Sequence, residues 1–197
     1  MTTMPIRKPL PAKFYKRDTA LVARELLGAE LRVASAEGIT TGRITETEAY
    51  LGPHDAASHS VVGRTARTWH LFGPLGSAYV YFVYGMHWCV NAVCGEEGLG
   101  SAVLLRAAEP IEGIELMRTR RPKAKNDKSL CDGPAKLCAA FGIDRSLDGK
   151  MLTGKSDISI LSGIAVPDES VIIGPRIGIS KAVDWPLRFL MKSEKHR

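Results

Sequence analysis

The chain has 197 residues, 27 of them Lys or Arg and 21 Asp or Glu, so its formal charge is +6. At 45% hydrophobic and 24% charged residues, it is neither a disordered, a collagen-like nor a disulfide-scaffold sequence, and one domain of this size buries roughly 70% of its unfolded surface. No apolar run approaches the ~20 residues of a bilayer span, and the N-terminus lacks the apolar stretch of a secretory signal. The expectation is a soluble, intracellular chain with no membrane partner, cytoplasmic or nucleoid-associated in a bacterium and nuclear in a eukaryote.

Residues 1–17 carry five bases and no acid and read as a flexible basic arm ahead of a single domain over 18–197. Asp18 is placed to cap a helix whose Leu21, Val22, Leu26 and Leu27 follow helical spacing, and Gly28 stops it. Strands over 29–34 and 39–50 flank the turn signal Glu37-Gly38, the second alternating through Ile39, Thr41, Arg43 and Thr45. Residues 51–77 hold glycines, a proline and polar residues with no sustained period, a long irregular connection of the kind kept for binding. Residues 78–94 read as two β-rich runs meeting at Tyr84-Gly85, with another strand over 101–108. Pro110 is predicted to open a helix through Ile111, Ile114, Leu116 and Met117. The helix runs into RTRRPKAKNDK, too polar to pack and expected to be a mobile loop. Pro134 starts a short helix ended by Gly142, and strands are expected at 158–161, 171–173 and 176–179. With no repeat and no shift in composition, the fold class is α+β in a single mixed domain.

The charge is segregated. Residues 118–128 hold six bases and one acid and residues 176–197 six bases and two acids, whereas residues 18–117 hold six bases against twelve acids. A basic surface around an acidic body suits a polyanion such as DNA or RNA, because Lys and Arg release condensed counterions on contacting phosphates. Basic tails and loops also serve solubility alone. The spacings of Cys89, Cys94, Cys131 and Cys138 form no CxxC, which argues for reduced, mostly buried thiols and against a zinc site. His87 beside Cys89 reads as part of a packed strand rather than a ligand pair.

Four of the five tyrosines lie between residues 50 and 84: Tyr50, Tyr79, Tyr81 and Tyr84. Aromatic rings with polar tips offer faces on which bases stack, each worth ~1–3 kcal/mol. Strand alternation puts Tyr79 and Tyr81 on one face, while Tyr84, beside Gly85 at a hairpin tip, is free to project as a wedge. Glu46, Glu48 and Tyr50 share a face of their strand. A carboxylate among aromatic neighbours can act as a general base on water, but periodicity does not choose between Glu46 and Glu48, nor between catalysis and a solvated face. His54, Asp55, Ser58, His59 and Ser60 lack the strand–turn–helix setting of a nucleophile elbow. Neither a P-loop nor a GxGxxG is present, so any reaction is expected to use water and side chains with no cofactor.

The runs RITETEAYLGPHDAASHS, YVYFVYGMHWCVN and AVLLRAAEP, followed by CDGPAKLC and PRIGI, resemble the alkyladenine DNA glycosylase family, also called 3-methyladenine or methylpurine DNA glycosylases. The resemblance spans roughly residues 17–190, in order and at matching spacing. It implies a curved antiparallel β core with surrounding helices and a protruding hairpin. It also implies a monomer acting on double-stranded DNA to excise damaged purines, of the 3-methyladenine, 7-methylguanine, hypoxanthine and ethenoadenine class, without lyase activity. The glutamate two residues before tyrosine in Glu-Ala-Tyr is the family's catalytic one, here Glu48. Tyr50, His59 and Tyr81 match its base-stacking pocket, Asn91 the residue that crowds the amino group of guanine, Tyr84 the intercalating tyrosine and Arg106 an active-site arginine. Arg64, Arg67, Lys136 and Arg176, with the three basic segments, are the expected DNA-backbone contacts. The chain departs from the pattern at His54, at Thr68-Trp69-His70 and in the short segment SKAVDWPLRF. Lys136 after Gly133-Pro134 reads as a surface or phosphate-facing lysine rather than a Schiff-base nucleophile. The alternative to an enzyme is a nucleic-acid-binding module on the same fold that has lost activity.

Overall fold

The computed structural model describes residues 7–192. Two short helices, α1 (Ala12–Tyr15) and α2 (Thr19–Glu25), precede the strand pair β1 (Glu30–Ser35) and β2 (Gly38–Tyr50). After an irregular stretch come β3 (Ala78–Val83), β4 (His87–Cys94) and β5 (Ser101–Glu112), then α3 (Ile114–Arg120), α4 (Pro134–Phe141), β6 (Ile158–Leu161), β7 (Val171–Gly174) and β8 (Arg188–Met191). Every pairing is antiparallel, in the order β3-β4-β5-β2-β1-β6, with β8 joined to β2 and to β7. This is the α+β domain expected.

The 13 residues of β2 form its spine. One edge runs along β5 from Thr41 to Tyr50; the other pairs with β1 over 38–43 and then with β8 over 46–48. Helices cover the sheet: α2 packs on β2 and β5, and α4 on β4 and β5. Val22, Ala23, Leu26, Ile44, Leu105, Leu137 and Phe141 in this layer are buried. Buried Thr47 donates its hydroxyl to the carbonyl of Ala23 at 2.8 Å, tying α2 to the spine. The Asp18 cap is present, its carboxylate accepting from the Leu21 N–H at 2.9 Å, worth about 1 kcal/mol. Gly28 has a φ of +82°, and a Cβ there would sit 2.2 Å from the carbonyl oxygen of Ile164, so no other residue fits this stop.

Four expectations are corrected. Part of the basic arm joins the fold: α1 forms over Ala12–Tyr15, the Tyr15 ring is wholly buried and Arg7 lies 3.1 Å from Glu30, while residues 7–9 and 11–13 are exposed. Residues 1–6 lie outside the described residues. Pro110 does not open a helix; it stays in β5, opposite Gly42, and α3 begins after Gly113, whose φ is +72°. The segment 118–128 is ordered by its own polar groups. Arg118 grips Asp127 with two bonds, Arg120 reaches Glu37 at 2.6 Å, and Asn126 and Ser129 close a capping box. Finally, 176–179 is not a strand, whereas β8 was not anticipated. No helix among the described residues is long and apolar enough to cross a membrane.

Candidate active site

The C-terminal end of β2 brings together most of the predicted site. Glu48 has no exposed surface, and three donors converge on it. The Tyr50 hydroxyl donates to Oε2 at 2.9 Å, the Ile177 N–H donates to Oε1 at 2.7 Å, and Nη1 of Arg106 stands 3.3 Å from Oε1. A carboxylate has about four acceptor positions, and these donors use three of them. Burial and the adjacent Glu48 carboxylate push the Tyr50 hydroxyl well above its ordinary pKa, so it remains a donor. Glu46, one pleat back, points to the same cluster. Its Oε1 accepts from Nε of Arg106 and from Nη1 of Arg188, each at 3.0 Å.

Tyr50, whose hydroxyl bonds Glu48, also lines a cavity of about 410 Å³ together with His59, Tyr79, Tyr81 and Asn91; neither Glu48 nor Arg106 is among its lining residues. Its walls are set by strand register: Tyr79 pairs with Asn91 and Tyr81 with Cys89 across the β3–β4 hairpin. The rings of Tyr79 and Tyr81 stack at 5.3 Å, and His59 meets Tyr81 edge-on at 4.6 Å. Nδ1 of His59 lies 3.1 Å from the Tyr79 hydroxyl, a bond that fixes the ring plane. Burial, aided by the cation of Arg67, lowers the His59 pKa below 6.5, keeping the imidazole neutral at neutral pH. The Tyr79 hydroxyl is pushed up to about 12 by burial. Asn91 is buried and donates through Nδ2 to the carbonyl of Tyr79 at 3.1 Å, which turns its amide toward the cavity wall. At the mouth, Tyr84 occupies the hairpin turn. Both Tyr84 (φ 54°) and Gly85 (φ 67°) have the sign pattern of a type I′ turn, and the Tyr84 side chain projects with the residue 84% exposed.

The expected backbone contacts divide. Arg176 is corrected: its side chain has no exposed surface, so no phosphate can reach it. It forms a doubly bonded pair with buried Asp55, donates to the Ala49 carbonyl at 2.9 Å, and lies 4.6 Å from the centre of the Tyr50 ring. Burial alone would raise the Asp55 carboxyl, but Arg176 and the N–H groups of Leu51 and Ala57 outweigh it and leave the pKa low. Arg176 and Asp55 thus clamp the binding loop to β2. Arg64 and Arg67 are exposed, the first over the rings of Trp69 and Phe72, the second 5.8 Å from the Tyr81 ring. Lys136 is exposed and pairs with Asp132 at 2.7 Å. The basic segment 118–128 sits far from the cavity. Arg120 binds Glu37, beside the start of β2 at Gly38, ten residues or about 33 Å of extended strand from Glu48. Ile177 and Arg188 carry no signal in the sequence as site residues, whereas Tyr79 is marked by the tyrosine cluster and Glu46 by the strand face it shares with Glu48 and Tyr50.

The four thiols are free and buried. Burial pushes Cys94 and Cys131 up to about 12, holds Cys138 well above the ordinary thiol range, and also raises Cys89. Among the described residues no group of three or more His, Cys, Asp or Glu side chains could hold a metal ion.

A carboxylate held by donors beside an aromatic cavity, behind a projecting tyrosine, fits a chain that acts on an extruded base. Residues 13–195 match the Methylpurine-DNA glycosylase (MPG) family. The chain belongs to the methylpurine-DNA glycosylase family. It is 50% identical over 182 residues (91% of this chain, 85% of the relative) to a protein of Streptomyces avermitilis named "Putative 3-methyladenine DNA glycosylase". Proteins of the same name from Methanoculleus marisnigri (47% over 190 residues; 95% and 97%) and Carboxydothermus hydrogenoformans (43% over 187 residues; 95% and 97%) are also similar. As a family member it is a DNA glycosylase, and its setting is base excision repair.

Proposed function

We propose that the glycosylase flips a damaged purine out of duplex DNA into the Tyr50–His59–Tyr81 cavity and hydrolyses its N-glycosidic bond with a water activated by Glu48, leaving an abasic site. The observation that carries this reading is the Glu48 carboxylate, buried and held by three donors, one of them the hydroxyl of Tyr50, whose residue also lines the aromatic cavity. Water oxygen bonds to C1′ of the sugar, the C1′–N bond breaks with its electron pair going to the base, and the water proton passes to Glu48. A purine made cationic by alkylation departs neutral without any further proton. The transition state is oxocarbenium-like, and the negative charge of Glu48 stabilises the positive charge that develops at the sugar.

Extruding a base costs a few kcal/mol, least when the base is damaged and weakly paired. Tyr84, filling the vacated stack, offsets part of that cost. The aromatic walls favour electron-poor alkylated purines, because a cationic base gains more from an aromatic face than a neutral one. Asn91 at the wall narrows the space open to an exocyclic amino group, which disfavours normal guanine. The backbone is held by exposed cations near the mouth, Arg64 and Arg67, and by Lys181, which lines the cavity. The chain acts as a monomer without lyase chemistry; Lys136, ion-paired on the surface, is not set up as a nucleophile.

Glu48→Gln is expected to lower release of 3-methyladenine or hypoxanthine from a duplex by about 10²- to 10⁴-fold while leaving lesion binding largely intact. Retained turnover would reject the assignment. An unsubstituted chain that binds lesions but releases no base would instead mark an inactive binding module. Borohydride trapping is expected to give no covalent DNA adduct.

A further inference from the structure

We infer that Arg188, the first residue of β8, is a positioning residue that holds both tertiary supports of Glu48 at once. The inference rests on the reading of Glu48 as the group that activates water.

Of the three donors on Glu48, only Tyr50 comes from the same strand. The other two, Arg106 on β5 and the N–H of Ile177, come from distant parts of the chain and need supports of their own. Arg106 is shared between two carboxylates: Nε lies 3.0 Å from Glu46 and Nη1 lies 3.3 Å from Glu48. With no other cation, Glu46 is the closer partner and draws the guanidinium away. Arg188 supplies the second cation, 3.0 Å from the same Glu46 oxygen, so that two arginines serve two glutamates and Nη1 of Arg106 stays on Glu48. The exposures of the Arg106, Arg188 and Glu46 side chains are 12%, 22% and 12%, low enough that this division is weakly screened.

The same guanidinium acts on the other support. Nε of Arg188 donates to the carbonyl of Pro175 at 2.9 Å, two residues before Ile177, whose N–H reaches Glu48 at 2.7 Å. Register explains the reach: Arg188 lies opposite Glu48 on β2 and opposite Gly174 on β7. One side chain therefore sets the Glu46–Arg106 arm and the Pro175–Ile177 arm, and both end on the same oxygen, Oε1 of Glu48. A displacement near 1 Å at a reacting group costs up to about 10²-fold in rate.

The test is single-turnover release of 3-methyladenine from methylated duplex DNA, with duplex affinity and melting temperature measured in parallel. Arg188→Ala is expected to slow release by about 10- to 100-fold with affinity within about threefold of the unsubstituted chain. Arg188→Lys keeps the cation facing Glu46 and is expected to recover part of the rate. Adding Glu46→Ala to Arg188→Ala is expected to cost much less than the product of the single losses, because both act through Arg106. Phe189→Leu, which loosens β8 without touching a charge, is expected to lower the melting temperature and keep the rate. The inference is overturned if Arg188→Ala releases base at full rate while Glu48→Gln is inactive. It is equally overturned if the loss lies in affinity, if Phe189→Leu shares it, or if Glu46 and Arg188 are additive. Full turnover by Glu48→Gln would instead bring down the underlying reading of Glu48.

Discussion

The two ends of the site are built on opposite principles. At the inner end, Glu48 and the Asp55–Arg176 pair are removed from solvent, and their charges are met by hydrogen bonds drawn from β2, β5 and the 175–177 segment. At the outer end, Tyr84 stands 84% exposed on a turn with a φ of 54° that a side chain adopts at a cost of roughly 1–3 kcal/mol. Buried charge is kept only where it is over-supported, since an uncompensated one costs several kcal/mol. A large aromatic ring held in water on a strained backbone is, on the proposed reading, the group that a base stack would cover. The inner end fixes atoms; the outer end makes contact.

Removing one half of the buried pair breaks the inner end most severely. Asp55→Ala leaves Arg176 buried and unpaired and is expected to destabilise the fold by about 3–5 kcal/mol in urea unfolding; an effect under 1 kcal/mol would show the clamp to be dispensable. Next comes the outer end. Tyr84→Ala is expected to weaken binding to a lesion-containing duplex by about 1–3 kcal/mol relative to an undamaged one, with melting temperature unchanged. Equal losses on both duplexes would remove the wedge. Tyr84→Gly sharpens the contrast, with the same loss of lesion preference and a gain of about 1 kcal/mol in stability as the strain is relieved. The smallest effect concerns His59. Its folded pKa lies below 6.5, so as the pH falls below that value the unfolded chain takes up the proton first and stability declines until the folded pKa is passed. His59→Gln is expected to make the fall in melting temperature between pH 7 and pH 5 shallower. A parallel pair of curves would place the imidazole in an ordinary environment.

Much of the outer end is legible in the sequence, because it is local: the β-rich runs on either side of Tyr84-Gly85 and the irregular stretch 51–77 are readable from composition and period. The inner end is legible only as candidates. Alternation puts Glu46, Glu48 and Tyr50 on one face, but which carboxylate is served by which cation depends on Arg106, Ile177 and Arg188, which lie 58, 129 and 140 positions beyond Glu48. The strand β8 escapes for the same reason. Its four residues have no period of their own and become a strand by pairing with Glu46–Glu48 and with β7. Arg176 reads as a surface base because nothing near it in sequence reveals Asp55, 121 residues earlier. Residues 118–128 look too polar to order, yet Arg118 and Asp127 order them through charges only nine residues apart. Pro110 suits a helix start, but β5 continues through it at a register shift beside Gly42, the kind of ladder irregularity where a proline without an N–H is tolerated.

The four buried thiols have a chemical consequence of their own. A thiolate, not a thiol, is what electrophiles attack, and burial drives every cysteine of this chain toward the protonated form. The cysteines therefore offer electrophiles in solution almost no thiolate, whereas the thioether of Met86, in a residue 69% exposed, needs no deprotonation and stays open to them.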